Sequence, residues 1–293
     1  MPTVAVLTPD PDSREYAAAW PGLFDRIRDA LAGAGVQATT TPWTSHVDHA
    51  DALREADGVL PLLAWGYHAD HARWLRACRT WDAAGLRIAN VPSVLAWNSD
   101  KAYLARFARA GIALPPTTWV EGVTAEAVDA VFDATGASRV IAKPTVSGGA
   151  YRTLCLRRGD ALAGAPTGAA MLQPYLPTIE TEGETSLLFF GGRLSHVVNK
   201  RPVAGEFRVQ FQYGGQYHVL DAAPPGALAL AGQVLAEVDD PLLYARVDVV
   251  PDADGRWMLM ELELIEPDLY LAVDPAQGRL FAGAVRDWLT ATR

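Results

Sequence analysis

Residues 245–250 read Ala245-Arg246-Val247-Asp248-Val249-Val250, and residues 260–264 read Met260-Glu261-Leu262-Glu263-Leu264. Both are apolar runs interrupted by charges two residues apart. Side chains at i and i+2 of a strand point to one face, so Arg246 joins Asp248, and Glu261 joins Glu263 on the paired strand. Carboxylates at that density in an apolar setting repel one another unless cations compensate them. Such oxygen ligands suit Mg²⁺, which one or two carboxylates hold together with phosphate oxygens. Carboxylates that merely alternate toward solvent on an antiparallel hairpin are the competing reading.

Back from this pair the chain is mostly strand, at 171–175, 185–190, 193–200, 243–250 and 257–264, with helices near 227–238 and 275–290. The first hundred residues have a different rhythm. Strands at 4–8, 36–41, 58–63 and 87–91 alternate with helices, one over 13–34 with Ser13 as N-cap and Gly35 closing it. Another helix covers 67–84 and ends at Gly85. This βαβα order predicts a parallel α/β sheet approached by ligands from the carboxyl ends of its strands. No Gly-x-Gly-x-x-Gly follows the first strand, so a dinucleotide site is not indicated. Between the two halves lie a helix at 101–110 closed by Gly111, a strand at 117–120, a helix at 125–134 and a strand at 139–143.

Composition narrows the class. The 293 residues suit two or three packed lobes, and 50% hydrophobic with 20% charged residues is ordinary for a globular protein. A net charge of −9 argues against a partner built on a phosphate backbone, so nucleic acid is not expected. No apolar run approaches the roughly 20 residues needed to span a bilayer, and residues 1–9 enter a strand pattern directly, which reads as cytoplasmic. Cys78 and Cys155 read as buried small hydrophobes without metal spacing. Of 25 Lys plus Arg only Lys101, Lys143 and Lys200 are lysines. Where arginine is the default cation, each remaining lysine invites a reason, because ammonium and guanidinium are not interchangeable at a specific site.

Two of the lysines open a resemblance. Asn98-Ser99-Asp100-Lys101 leading a helix that ends at Gly111, then Val140-Ile141-Ala142-Lys143-Pro144 and the small loop Ser147-Gly148-Gly149-Ala150, resemble the lysine and phosphate-loop elements of the ATP-grasp superfamily. Glycines let backbone N–H groups approach phosphate oxygens, and lysines neutralise them as mobile point charges. Met171-Leu172-Gln173-Pro174-Tyr175-Leu176 resembles the hinge that holds adenine through backbone groups around Gln173, Tyr175 and Leu176. Glu184, or second to it Glu180, would take the ribose hydroxyls, whereas Glu182 reads as a solvated acid. The order Arg201, Gly205-Glu206-Phe207-Arg208, Gly214-Gly215 is similar to that of glutathione-synthetase-like and ribosomal-modification-type ATP-grasp ligases. It implies Arg201 beside the γ-phosphate or acyl phosphate, and Arg208 and Gly215 beside the acceptor, while Lys200 stays unassigned. Asp248, Glu261, Glu263 and Pro267 fill the family's metal motif, with Glu263 where Asn is usual. Arg246 matches the arginine that D-alanine–D-alanine ligases place two before the metal Asp, facing the developing oxyanion.

The resemblance covers about residues 1–290 and implies an α/β ATP-grasp fold: an N-terminal lobe over 1–97, a central lobe over 98–170 and a C-terminal lobe with the metal site over 171–293. It implies ATP and Mg²⁺, two ions, as cofactors, and a ligase that makes an acyl phosphate for attack by an amine. The stretches Gln173-Pro174-Tyr175-Leu176-Pro177 and Glu261-Leu262-Glu263-Leu264-Ile265-Glu266-Pro267 look like the small cyclo-ligase group typified by D-cycloserine synthetase, which closes O-ureido-D-serine. Alternatives are an intermolecular peptide or amino-acid ligase of secondary metabolism, a non-catalytic nucleotide-binding relic, and a Rossmann-type oxidoreductase. The expected partner is a small amino-acid-like substrate, with no membrane and a homo-oligomeric state of dimer or tetramer. Tyr67 and His68, after the third strand, are candidate substrate contacts; His68 with His71 lacks the further ligands that zinc needs.

Overall fold

Strands at opposite ends of the chain fold by different rules, parallel in the first hundred residues and antiparallel after them. The computed structural model describes residues 1–291. Strands β1 (Thr3–Thr8), β2 (Gln37–Pro42) and β3 (Gly58–Leu60) form a parallel sheet in the order β2-β1-β3. Alternation along β1 sends Val4 and Val6 into one apolar core and Ala5 and Leu7 into another, so the sheet is covered on both faces. Helix α1 (Trp20–Gly33) contributes Ile27 and Leu31 to the first core, and α2 (His71–Ala83) contributes Trp74, Cys78 and Trp81 to the second.

The first helix begins at Trp20, not at Ser13. Pro21 sits in its opening turn, and proline lacks the N–H of an interior residue and its ring clashes with the carbonyl four back. The strand expected at 58–63 stops at Leu60, ahead of Pro61, which cannot donate to the ladder. The strand expected at 87–91 is a single bridge between Val59 and Ile88, because Asn90 adopts a φ of 47° and turns the chain into helix α3 (Pro92–Asn98), which the sequence reading lacked. The helix expected from 101 is a 3-10 turn at Lys101–Tyr103 followed by α4 (Leu104–Arg109). Cys78 is buried, but Cys155 is partly exposed.

The second sheet holds β4 (Thr118–Val120), β5 (Val140–Pro144), β6 (Leu154–Leu156) and β7 (Ala170–Pro174), antiparallel in the order β4-β7-β5-β6. Helix α5 (Ala125–Thr135) lays Val128, Val131 and Phe132 on Val140, Ala142 and Leu172, which leaves Ile141, Lys143 and Gln173 on the other face. This sheet runs to Pro174, a few residues past the expected lobe boundary at 170. A single helical turn, α6 (Thr178–Thr181), leads into the third sheet. There β8 (Glu184–Phe190), β9 (Arg193–Arg201), β10 (Gln216–Leu220), β11 (Tyr244–Pro251) and β12 (Trp257–Glu263) are antiparallel in the order β10-β9-β8-β11-β12.

Helix α7 (Pro225–Ala236) buries Ala227, Leu230, Ala231 and Val234 against Leu187, Val197, Val247 and Val249. That choice of face decides the site. With the odd-numbered aliphatics under the helix, the period of two turns Glu184, Ser186, Lys200, Arg246 and Asp248 to the opposite face. The last helix, α8 (Arg279–Thr290), returns to the first lobe, where Phe281 and Val285 share a core with Val4, Leu31, Phe190 and Tyr244. Among the described residues no helix is long and apolar enough to cross a membrane.

Candidate active site

Across β11 and β12, Arg246 stands opposite Glu263 and Asp248 opposite Glu261, with a bulge just after Asp248. Asp248 is 2% exposed and both of its oxygens are occupied. Arg246 donates to it from Nε and Nη2, at 3.1 and 3.0 Å, and Ser186 Oγ donates at 2.5 Å. Lys200 Nζ lies 3.3 Å away. Burial alone would raise this carboxyl, but Arg246 and Lys200 hold it down at about 2. Glu263 accepts from the same Arg246 Nη2, and burial pushes its pKa above the usual carboxylate range despite that guanidinium.

Lys200 is 3% exposed and pairs at 2.5 Å with Glu184. Burial opposes its charge, yet Asp248 and Glu184 hold its pKa well above the ordinary lysine value. Lys101, also buried, reaches Glu261 at 3.0 Å and donates to the Ser147 carbonyl at 2.8 Å. Lys143 has no ion-pair partner among the described residues, and burial lowers its pKa against the pull of Glu261. Thus Lys101, Lys143, Ser147, Glu184, Arg246, Asp248, Glu261 and Glu263 come together, joined by Lys200 and Ser186.

β12 is the outer strand of its sheet, so its free edge needs partners. Side chains supply them. Asn98 Nδ2 donates to the Leu262 carbonyl at 2.8 Å, and the Leu264 N–H donates to Asn98 Oδ1 at 2.9 Å. Tyr103 Oη accepts from the Leu262 N–H at 2.8 Å and donates to its carbonyl at 3.0 Å. The backbone between Glu261 and Glu263 is thereby pinned. Neither residue was expected in the site, since the contacts span 159 to 166 positions.

The loop after β5 is closed in by its neighbours. Gly149 has a φ of +56° and its carbonyl accepts from Gln212 Nε2 at 3.3 Å. A Cβ on Gly148 would lie 3.3 Å from His68 Nδ1, so the loop backbone approaches the first lobe there. His68 packs on Tyr151 with centroids 5.2 Å apart, and burial lowers its pKa. Tyr67 is buried against Trp74, and burial with the charges of Glu266, Glu261 and Glu263 holds its hydroxyl protonated. Gln173 donates to Thr117 Oγ1 at 2.8 Å, and Leu176 packs beside Ile179, Val250 and Met258.

Other expected residues lie apart. Arg201 follows Lys200, so alternation sends it to the far face of the sheet, where it is exposed and donates to Asn199 Oδ1 at 3.2 Å. It lines a separate depression with His218 and Trp257. Arg208 pairs with Glu206 at 2.7 Å and lies over Tyr213, and among the described residues it makes no ion pair with the cluster. Gly215 answers to packing, for a Cβ there would sit 1.9 Å from the Val209 carbonyl oxygen. Glu180 accepts from Arg139 at 2.8 Å and from Tyr175 at 2.6 Å, outside the cluster.

Among the described residues no three His, Cys, Asp or Glu side chains form a ready metal cage. Among the described residues Asp248 is saturated by donors, whereas Glu261 and Glu263 each have one cation on one oxygen, Lys101 and Arg246 respectively. This donor set fits Mg²⁺ shared with phosphate oxygens, which takes one or two carboxylates, and does not fit a metal held by protein alone.

A family model described as the N-terminal domain of the D-cycloserine synthetase DcsG matches residues 4–90. The cycloserine biosynthesis protein DcsG of Streptomyces lavendulae is 31% identical over 252 residues, 77% of this chain and 81% of that protein. The crystal structure of D-cycloserine synthetase DcsG superposes with a TM-score of 0.81 at 26% identity, covering 98% of this chain and 100% of the other. The D-alanine–D-alanine ligase of Bacillus anthracis in complex with ATP gives 0.69 at 14% identity, covering 99% and 97%. The RimK-domain ATP-grasp protein of Sphaerobacter thermophilus gives 0.67 at 17%, covering 99% and 100%. At those identities the last two speak to the fold alone.

Proposed function

The chain belongs to the D-cycloserine synthetase family of ATP-grasp ligases, and from that premise we propose that it uses ATP to activate a substrate carboxylate and closes a C–N bond within the same molecule, as in the ring closure of O-ureido-D-serine to D-cycloserine. The observation that carries this reading is the shared cleft face on which Lys101 joins the Ser147 loop to Glu261 while Asp248 and Glu261 stand opposite each other.

In this reading Lys101 and Lys143 neutralise the triphosphate as the 147–150 loop closes over it. Lys143 suits that task because among the described residues it has no ion-paired carboxylate to leave. Adenine lies at the hinge of Gln173, Tyr175 and Leu176, with Glu184 on the ribose. Glu261, with Asp248 and Glu263 behind it, would hold Mg²⁺, as two ions shared with the phosphate oxygens. The bound metal supplies charge neutralisation at the γ-phosphoryl group. Arg246, fixed by Asp248 and Glu263, presents its remaining N–H groups to the oxyanion of the collapsing acyl phosphate. Lys200, not Arg201, is the cation that β9 brings to this face. Phosphoryl transfer of this type depends on positioning and charge rather than on a protein nucleophile.

The test is ADP and phosphate release with ATP, Mg²⁺ and O-ureido-D-serine and no added amine. Cycloserine formed in step with ADP and phosphate, the carbamoyl group leaving by hydrolysis as carbon dioxide and ammonia, supports the intramolecular reaction. Turnover only after a separate amine is added moves the assignment to an intermolecular amino-acid ligase. No turnover with any amino acid overturns the ligase reading.

A further inference from the structure

Every carboxylate of the cluster has a protein cation close by. Glu184 and Asp248 share Lys200 at 2.5 and 3.3 Å, Glu261 has Lys101 at 3.0 Å, and Glu263 has Arg246. Glu266, three residues further along, breaks the rule. Among the described residues it has no ion-pair partner and no hydrogen bond from another residue. Yet its position is rigidly set. Ile265 is buried among Trp74 and Leu95 of the first lobe, and Pro267 is buried too. Tyr244 Oη donates to the Ile265 carbonyl at 2.7 Å, and Asn90 Nδ2 to the Leu264 carbonyl at 2.8 Å. The carboxylate between these anchors lies close enough to Lys101, Glu261, Tyr67 and Tyr16 for their charges to be mutually felt.

Among the described residues Lys143 is the matching exception among the cluster's cations. One unpaired ammonium on the second sheet and one unpaired carboxylate at the first-lobe junction describe what the cleft lacks: an anion at one end and a cation at the other. Uncompensated charge in a half-buried site is costly until something pairs with it. ATP satisfies the lysine end and carries no cation for Glu266. We propose that Glu266 binds the α-ammonium of the amino-acid substrate, with Tyr67 beside it, and so selects amino acids over their hydroxy or deaminated counterparts. This rests on the ligase reading above. In keeping with it, burial pushes the unliganded Glu266 carboxyl up to about 7.

Steady-state phosphate release tests this with O-ureido-serine and its 2-hydroxy analogue on wild-type enzyme, Glu266→Gln and Glu266→Asp. The expected result is a wild-type preference for the amino compound of at least about tenfold in kcat/KM. Glu266→Gln should raise KM for the amino compound about 10- to 100-fold, leave KM for ATP unchanged and erase the preference, with Glu266→Asp partly restoring it. Unchanged KM and unchanged preference in Glu266→Gln would overturn the ammonium subsite alone. If that variant fails to fold, the wild-type comparison still decides, since equal use of the two compounds overturns the subsite. A wild type that releases no phosphate with any amino acid overturns the ligase reading and the subsite with it.

Discussion

Lys101 Nζ lies 3.0 Å from Glu261 Oε1 and 2.8 Å from the carbonyl oxygen of Ser147, so one ammonium joins the 147–150 loop to the carboxylate strand β12. These groups are 46 residues apart on one side and 160 on the other, and the lysine is 8% exposed. Lys101→Met removes a charged donor from both partners at once. We expect a loss of about 2–3 kcal/mol in stability by urea titration and at least about 10³-fold in kcat/KM. A variant with near-normal turnover would remove Lys101 from the phosphate site.

The neighbouring pair Lys200 and Arg201 separates the two faces of β9. Lys200→Met strands Glu184 and Asp248 without their shared cation, which should cost about 3–5 kcal/mol and abolish turnover. Arg201→Ala, on the exposed face, should change stability by less than about 0.5 kcal/mol and leave kcat within a few-fold of wild type. Loss of activity in Arg201→Ala would return that residue to the phosphate, where the family pattern puts it.

Asp248 gives an acid limb to stability. Its pKa is held at about 2 against 3.8 for an ordinary aspartate, so the native state favours the ionised form. The contribution, about 2–3 kcal/mol, is complete above pH 4 and disappears as pH falls toward 2. Urea midpoints measured from pH 6 to pH 2 should fall in that window, and Asp248→Asn should flatten this part of the curve.

Glu266 has the opposite sign. A folded-state carboxyl at about 7 against 4.5 means that folding favours the protonated form. Ionising it as pH rises from 4.5 to 7 therefore destabilises the unliganded enzyme, by about 1–3 kcal/mol. Glu266→Gln should accordingly be more stable than wild type at pH 8 and no more stable at pH 4.5, read as the difference in thermal midpoint. A destabilised variant at pH 8 would reveal an internal partner for this carboxylate.

Tyr103→Phe tests the clamp on the strand edge. It removes the hydroxyl that both accepts from and donates to Leu262, at a cost of about 1–2 kcal/mol. Because the same backbone carries Glu261, Mg²⁺-dependent ATP affinity measured by calorimetry should fall several-fold while Mg²⁺-free nucleotide binding holds.

Much of the site is written in local spacing. The interval of two that groups Arg246 with Asp248 is a property of any strand, and the structure has the two hydrogen-bonded at 3.0 Å. The parallel sheet of the first lobe was legible from the alternation of strand and helix, and the strands after 171 from their short apolar runs, though not their antiparallel direction. The start of α1 was misplaced although Pro21 was in view, because an apolar periodicity of 3.6 continues through residues that proline prevents from joining the helix.

Charge partners were not legible, and the reason is physical. The sequence alone determined which side chains share a strand face, because the pleat repeats every two residues whatever the fold. It did not determine which face would look into the cleft. That was decided when α7 packed its alanines and leucines over Leu187, Val197, Val247 and Val249, which left Lys200 inside the cleft and Arg201 outside it. Tertiary packing likewise brought Lys101 to Glu261 and Asn98 to Leu262, and left Glu266 with no ion-pair partner among the described residues. A pairing energy depends on distance and burial, and for residues more than a hundred positions apart both exist only once the lobes have met.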